Sequence, residues 1–232
     1  MRFSALFRCL NVAAALLVLL AGCSRTPESA AAYVPDADVR ILPNERKVGL
    51  PDRMMEAADV SRVIGRDSAP VRLLVVSDYQ CDSCRTWFEQ YLPALRAEYV
   101  ETGKARLTWV HYPLKEHPGA VRAASAALCA GVQGKFWDAS ARLFSGQAVW
   151  GSSPRAHAII DSLASVPGIE SFTLRNCIES NRMLRQVRRD IDWTDTVKAG
   201  TPLIVLVGKR RIAGSASLAA FRATLDSAIS GK

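Results

Sequence analysis

Cys81 and Cys84 stand one helical turn apart, separated by Asp82 and Ser83, a spacing at which two thiols can bridge. If a helix begins at this pair, Cys81 faces unpaired backbone N–H groups and the positive end of the helix dipole, which favour thiolate over thiol. Cys81 is then the nucleophile. Cys84, further into the helix and less accessible, closes the internal disulfide and resolves a mixed disulfide with a substrate. Asp82 opposes the thiolate: at ~6 Å, with a dielectric between ~20 and ~80, the repulsion is ~0.7 to ~3 kcal/mol. A helix terminus offers ~0.3 to ~1 kcal/mol, at most ~2. The two effects are comparable, and Ser83 adds only a hydrogen bond to sulfur. With no histidine between the cysteines, the expectation is a weaker oxidant than a centre that has one there.

Other candidates lie nearby or pair at a distance. Asp78, three residues before Cys81, is a candidate proton acceptor for Cys84 or a cap at a strand end. His111 and His117 could titrate near the site, although a strand histidine is commonly packed. Of the six cysteines, Cys9 falls in an amino-terminal leader and Cys23 ends it. Arg2 and Arg8 precede an apolar run from Cys9 to Ala21, and Leu20, Ala21, Gly22 and Cys23 resemble a lipobox, in which the cysteine is acylated after cleavage. The expected covalent lipid is on Cys23, and everything downstream is exported. Four thiols then remain in an oxidising compartment, Cys81, Cys84, Cys129 and Cys177, which suggests two pairs. A structural clip is the favoured reading of Cys129 and Cys177, with buried free thiols or a relay to the redox pair as rivals. No metal site is expected, because Cys129 and Cys177 lack flanking ligands at zinc spacing.

The elements that would position these residues follow from hydrophobic patterning. The 232 residues, 49% hydrophobic, suffice for one elaborated domain. Residues 1–22 read as a lipoprotein signal, 23–64 as lipidated cysteine, tether and extension, and 65–232 as the folded domain. In the extension a short strand is expected near Val39 to Leu42 and a helix around Arg53 to Val63. Val71 to Val76 is a β-branched apolar run suited to a strand buried on both faces. Trp87, Phe88, Tyr91, Leu92 and Leu95 recur at helical spacing after Cys81, with a kink expected at Pro93. Leu107 to His111 makes the next strand. Helices are expected at Ala120 to Ala130, Lys135 to Phe144, Ala156 to Ser165 and Ile169 to roughly Val197, an insertion spanning about 115–197. Two short strands, Leu203 to Val207 and Arg211 to Ala213, flank a tight turn at Gly208, Lys209 and Arg210. A closing helix runs from about Leu218 to Ile229. The order βαβ, helices, ββα is an α/β thioredoxin fold with a helical insertion. In that plan Thr201 and Pro202 oppose the redox pair, and a cis peptide there turns the backbone outward to bind an extended substrate.

These residues resemble the DsbA-like thioredoxin-fold oxidoreductases, in particular the thioredoxin-like 4 group, from about Gly65 to Ala228. Asp67 to Val71 resemble the entry to the first core strand, and Ser77 to Cys81 the segment leading to the redox pair. Tyr112, Pro113, Leu114, His117 and Pro118 resemble the segment after the second strand. Ala126, Cys129, Ala130, Gly134, Lys135, Phe136, Trp137, Leu143 and Phe144 resemble the insertion, and Gly200, Thr201 and Pro202 the proline loop. The resemblance implies handling of protein disulfides, with Cys81 attacking, Cys84 resolving, and Thr201 with Pro202 contacting substrate. Asp82 departs from the family's usual proline, which leaves the direction of electron flow open.

The expected function is an exported protein thiol-disulfide oxidase that uses the Cys81–Cys84 disulfide and no other cofactor. Its rivals are a reductase or isomerase kept reduced by a membrane donor, and a non-catalytic lipid-tethered binding module. Exported proteins with cysteines and a membrane redox partner are the expected partners, with the chain a monomer held at the membrane by its lipid. That would be the outer membrane, on the strength of Ser24 after Cys23, if the cell has two. Loss of the leader takes Arg2 and Arg8 and lowers the formal charge from +8 to +6. The mature chain stays basic but lacks the aromatic-interleaved basic pattern of nucleic-acid binders, and no nucleic acid is expected.

Overall fold

The apolar run after Pro70 becomes the middle strand of a five-stranded sheet. In a computed structural model, which describes residues 52–200 and 202–231, β2 (Val71–Ser77) lies between β3 (Ala105–His111), parallel to it, and β4 (Ile204–Val207), antiparallel. β1 (Val63–Ile64) pairs with the outer side of β3 and β5 (Arg210–Ala213) with that of β4, giving the order β1-β3-β2-β4-β5. β2 is buried on both faces: Leu73 and Val75 join the main core, while Val76 packs with Val110 and Ala199 on the other side. That is why its sequence reads as a continuous run rather than an alternation. Gly208, at φ 59°, makes the two-residue turn between β4 and β5, a backbone region that favours glycine.

The helix after Cys81 is a continuous rod over 82–100 with two widened turns. α2 (Asp82–Thr86) and α3 (Leu92–Leu95) are each followed by a π-helical turn, Trp87–Tyr91 and Arg96–Val100. Pro93 has no N–H to continue the regular ladder, and the first π turn falls immediately before Leu92. Trp87, Leu92, Leu95 and Tyr99 face the core.

The helical insertion comprises α4 (Ala120–Gly131), α5 (Phe136–Ser145), α6 (Gln147–Trp150), α7 (Ala156–Ala164), α8 (Ser171–Glu179) and α9 (Leu184–Thr196). α4 is its axis, buried along nearly its whole length, and its alanines admit close neighbours. Cys129 on α4 and Cys177 on α8 are both buried and form a disulfide with Cα atoms 5.7 Å apart. The single helical stretch expected from Ile169 to Val197 is two helices, because Asn181 takes a left-handed φ of 52°. α10 (Leu218–Ile229) closes the chain, starting at a Ser217 cap and burying Phe221 and Leu225.

Residues 52–64, ahead of Gly65, also belong to the packed body. α1 (Arg53–Ser61) buries Met55 and Ala58, and β1 extends the sheet. Between them Arg62 is 8% exposed and donates to Asp190 of α9 at 2.5 Å and to the Trp109 carbonyl at 3.1 Å, while pairing with Asp59 at 2.7 Å. Asp190 also accepts the His111 N–H at 2.9 Å. A single buried ion pair thus ties α1, α9 and the end of β3 together. The strand expected near Val39 to Leu42 lies outside the described residues.

Candidate active site

β2 ends at Ser77 and α2 begins at Asp82, so the four-residue turn 78–81 decides where the thiol points. Asp78, Tyr79 and Gln80 are each tied to a different segment further along the chain, between the end of β3 and the loop after α6. The Asp78 carboxylate, fully buried, accepts the Gln80 N–H at 2.6 Å and the Leu114 N–H at 2.8 Å, and meets Nδ1 of His117 at 2.7 Å. Tyr79 places its hydroxyl 2.6 Å from Ser140 of α5, and its carbonyl accepts from Gln147 Nε2 of α6 at 2.8 Å. Gln80 donates to the Gly151 carbonyl and accepts the Gly119 N–H, both at 2.9 Å. A Cβ at Gly119 would lie 2.7 Å from Trp150, so only glycine lets α4 begin this close. The Asp78 carbonyl then accepts the Cys81 N–H at 3.3 Å.

Cys81 caps α2: its Sγ accepts the Cys84 N–H at 3.2 Å and lies 3.2 Å from the Ser83 hydroxyl. These are the contacts that stabilise negative charge on sulfur. Cys81 and Cys84 are joined by a disulfide, with Cα atoms 5.2 Å apart. Cys81 is 9% exposed and Cys84 0%, so an incoming thiolate can reach only the first sulfur. The side chain of Asp82 is 88% exposed and 3.4 Å from Arg85. Water and Arg85 screen it, which puts its repulsion of a Cys81 thiolate at the low end of the range, ~0.7 kcal/mol.

Pro202 stands two residues before Ile204, which pairs with Val76, so the proline sits at the end of β2 that carries the redox turn. The peptide joining Pro202 to Leu203 is cis. Thr201, and with it the Thr201–Pro202 bond, lies outside the described residues, as does Cys23. Arg211 of β5 donates to the carbonyls of Val197 and Lys198, fixing the loop that leads from α9 to Pro202.

The two histidines separate. His111 is 1% exposed with neither ring nitrogen hydrogen-bonded, and burial, aided by the nearby Arg62 charge, pushes its pKa well below the ordinary value. It packs between Tyr79 and Phe136. His117 keeps a quarter of its side chain exposed, and its hydrogen bond to Asp78 raises its pKa. The turn anchors Gln147 and Ser140 were not visible in the sequence, because their partners lie 68 and 61 positions away. Among the described residues no group of three or more His, Cys, Asp or Glu could hold a metal ion, and no helix is long and apolar enough to cross a membrane.

A buried parallel strand delivering a dithiol to a helix start, with a proline loop on the adjacent strand, defines a thioredoxin-fold dithiol protein. The family model described as thioredoxin matches residues 57–227, and the chain belongs to that family. A probable disulfide bond formation protein D of Bacillus anthracis is 26% identical over 160 residues, 66% of this chain and 73% of that protein. The Na(+)/H(+) antiporter NhaA 1 of Salinispora arenicola is 30% identical over 175 residues, 75% of this chain and 25% of the antiporter. Among solved structures, oxidised BdbD of Bacillus subtilis superposes with a TM-score of 0.67 at 22% identity, over 73% of this chain and 93% of BdbD.

Proposed function

We propose that this chain is a protein thiol-disulfide oxidoreductase that oxidises cysteines of exported proteins. The observation that carries the reading is the asymmetry of the Cys81–Cys84 disulfide: a sulfur with two donors at a helix start, backed by a sulfur fully out of water. A substrate thiolate attacks Cys81 Sγ, the Cys81–Cys84 bond breaks, and Cys84 leaves and takes a proton. A second substrate thiolate attacks the substrate sulfur of the mixed disulfide and releases Cys81 as thiolate. The substrate gains a disulfide, and its two electrons rest on the reduced pair. A membrane redox partner removes them in the next step. Disulfide bond formation in the name of the Bacillus anthracis relative supports this direction, as does the screened position of Asp82.

The site roles follow: Cys81 exchanges, Cys84 resolves, Asp82 and Ser83 tune the sulfur, Thr201 and Pro202 receive the substrate backbone, and Asp78 accepts the Cys84 proton when the reduced pair is oxidised again. Cys129 and Cys177 serve as a clip. Residues 1–22 are the export signal, Cys23 carries lipid, the segment from Ser24 to about Pro35 is the tether, and the monomer faces the periplasm from the outer membrane where there are two membranes and otherwise works on the outer face of the cell membrane. The lipobox-like run ending in Gly22 and Cys23 supports this placement. Thiol trapping of the purified protein tests the activity: a Cys84→Ser variant should hold exported cysteine proteins as mixed disulfides on Cys81, and a Cys81→Ser variant should not. Labelling with a palmitate analogue that is lost in Cys23→Ser tests the anchor.

A further inference from the structure

Three acidic groups face one imidazole beside the redox turn. Asp78, from the end of β2, meets Nδ1 of His117 at 2.7 Å through a carboxylate closed to water. Asp82, from α2, and Glu116, from the histidine's own loop, both favour its protonated form across space. Arg85, the cation one turn along α2, is already engaged with Asp82. Asp78 holds the backbone that carries the thiol by two links, its carbonyl accepting the Cys81 N–H and its Oδ1 the Gln80 N–H. The segment between the cysteines supplies no cation.

We propose that His117, held by Asp78 beside the redox turn, is the positioning residue that supplies positive charge to the Cys81 thiolate and gives the redox equilibrium a proton-dependent step of its own. The proposal rests on the oxidoreductase reading and deepens it. When two substrate thiolates reduce the Cys81–Cys84 bond, two electrons enter the pair. Cys84 binds one proton, Cys81 stays a thiolate, and His117 holds one further proton that sulfur would otherwise take. As pH rises and His117 releases that proton, the reduced form loses its countercharge and the protein becomes a weaker oxidant. Linkage is reciprocal, so a thiolate at Cys81 makes His117 hold its proton to higher pH in the reduced protein than in the oxidised one.

The test is the equilibrium constant with the glutathione couple, measured from about pH 5 to about pH 9, where an imidazole titrates. His117→Asn keeps a donor in the Nδ1 position for Asp78 and removes the titration. Its equilibrium constant should fall below that of the natural protein by about three- to tenfold on the acid side, and the two should converge on the alkaline side. Curves that coincide at every pH, or differ by a constant factor, overturn the proposal. The natural protein gives a second reading that needs no variant: the His117 ring, followed by nuclear magnetic resonance, should titrate at higher pH in the reduced than in the oxidised protein. Equal values overturn it. A pair that glutathione fails to reduce at all sinks the oxidoreductase reading itself, and the proposal with it.

Discussion

Removing the Asp190 carboxylate should unlock the insertion from the sheet. Its Oδ2 receives Arg62 at 2.5 Å and the His111 N–H at 2.9 Å, with the two side chains only 10% and 6% exposed. In Asp190→Ala the guanidinium keeps Asp59 at 2.7 Å and the Trp109 carbonyl at 3.1 Å, but Asp59 is 38% exposed and a weaker countercharge. Breaking one side of a buried ion pair costs about 3 to 5 kcal/mol. The residual Asp59 contact places this case near 3 kcal/mol, which already includes the orphaned His111 N–H. Set against a total stability of about 5 to 15 kcal/mol, that is a large share. Urea unfolding followed by circular dichroism reads it, and at a slope of about 2 kcal/mol per molar the midpoint should drop by about 1.5 M. Asp190→Asn, which keeps an acceptor for the His111 N–H, should lose less. The double change Arg62→Met with Asp190→Leu should recover part of the loss, since the guanidinium no longer lacks its buried partner, while the His111 N–H stays orphaned and Asp59 loses its cation. A loss under about 1 kcal/mol in Asp190→Ala would refute the reasoning.

Three further outcomes follow from the same structure. Replacing Cys129 and Cys177 together by alanine, which opens a closure of 48 positions, should cost about 4 kcal/mol in urea unfolding and leave the redox equilibrium of Cys81 and Cys84 unchanged. The His111 pKa is lowered by burial, so its contribution to stability is complete above the ordinary value of 6.5 and is lost as pH falls from there toward its depressed folded value. His111→Leu should flatten that acid-side decline in a pH series of unfolding midpoints, whereas an unchanged slope would mean that His111 is not buried neutral. Gly65 has φ 105°, and a Cβ there would lie 2.7 Å from the Ala105 carbonyl, so Gly65→Ala should lower stability by roughly 2 kcal/mol. A melting temperature unchanged by that substitution would contradict the strained conformation.

Local patterning was enough for the elements that carry the site. The run Val71 to Val76, the helix after Cys81, the strand ending at His111 and the glycine turn at 208 each announce themselves within ten residues or so, because burial on a strand or helix has a short period. β1 escaped because two residues carry no period, and its place depends on β3, more than forty positions on. The break at Asn181 escaped because the segment holds no glycine or proline of the kind that marks the other helix ends, and asparagine takes the left-handed turn in their place. The clamp on the redox turn was hidden for another reason. Gln80, Ser140 and Gln147 look like ordinary polar residues until the chain brings them together. Adjacency in the sequence makes Asp82 a strong neighbour of the sulfur, whereas its 88% exposure and Arg85 contact depend on which way the helix faces.

The central claim is that Cys81 and Cys84 are a working redox pair, and acid-quenched thiol trapping in living cells, with mass mapping of each cysteine, tests it most directly. The pair should be found oxidised in cells and should open under mild dithiothreitol while Cys129 and Cys177 stay bonded. A pair found reduced in cells would reverse the assigned direction of electron flow, and one that dithiothreitol leaves intact would contradict the claim altogether.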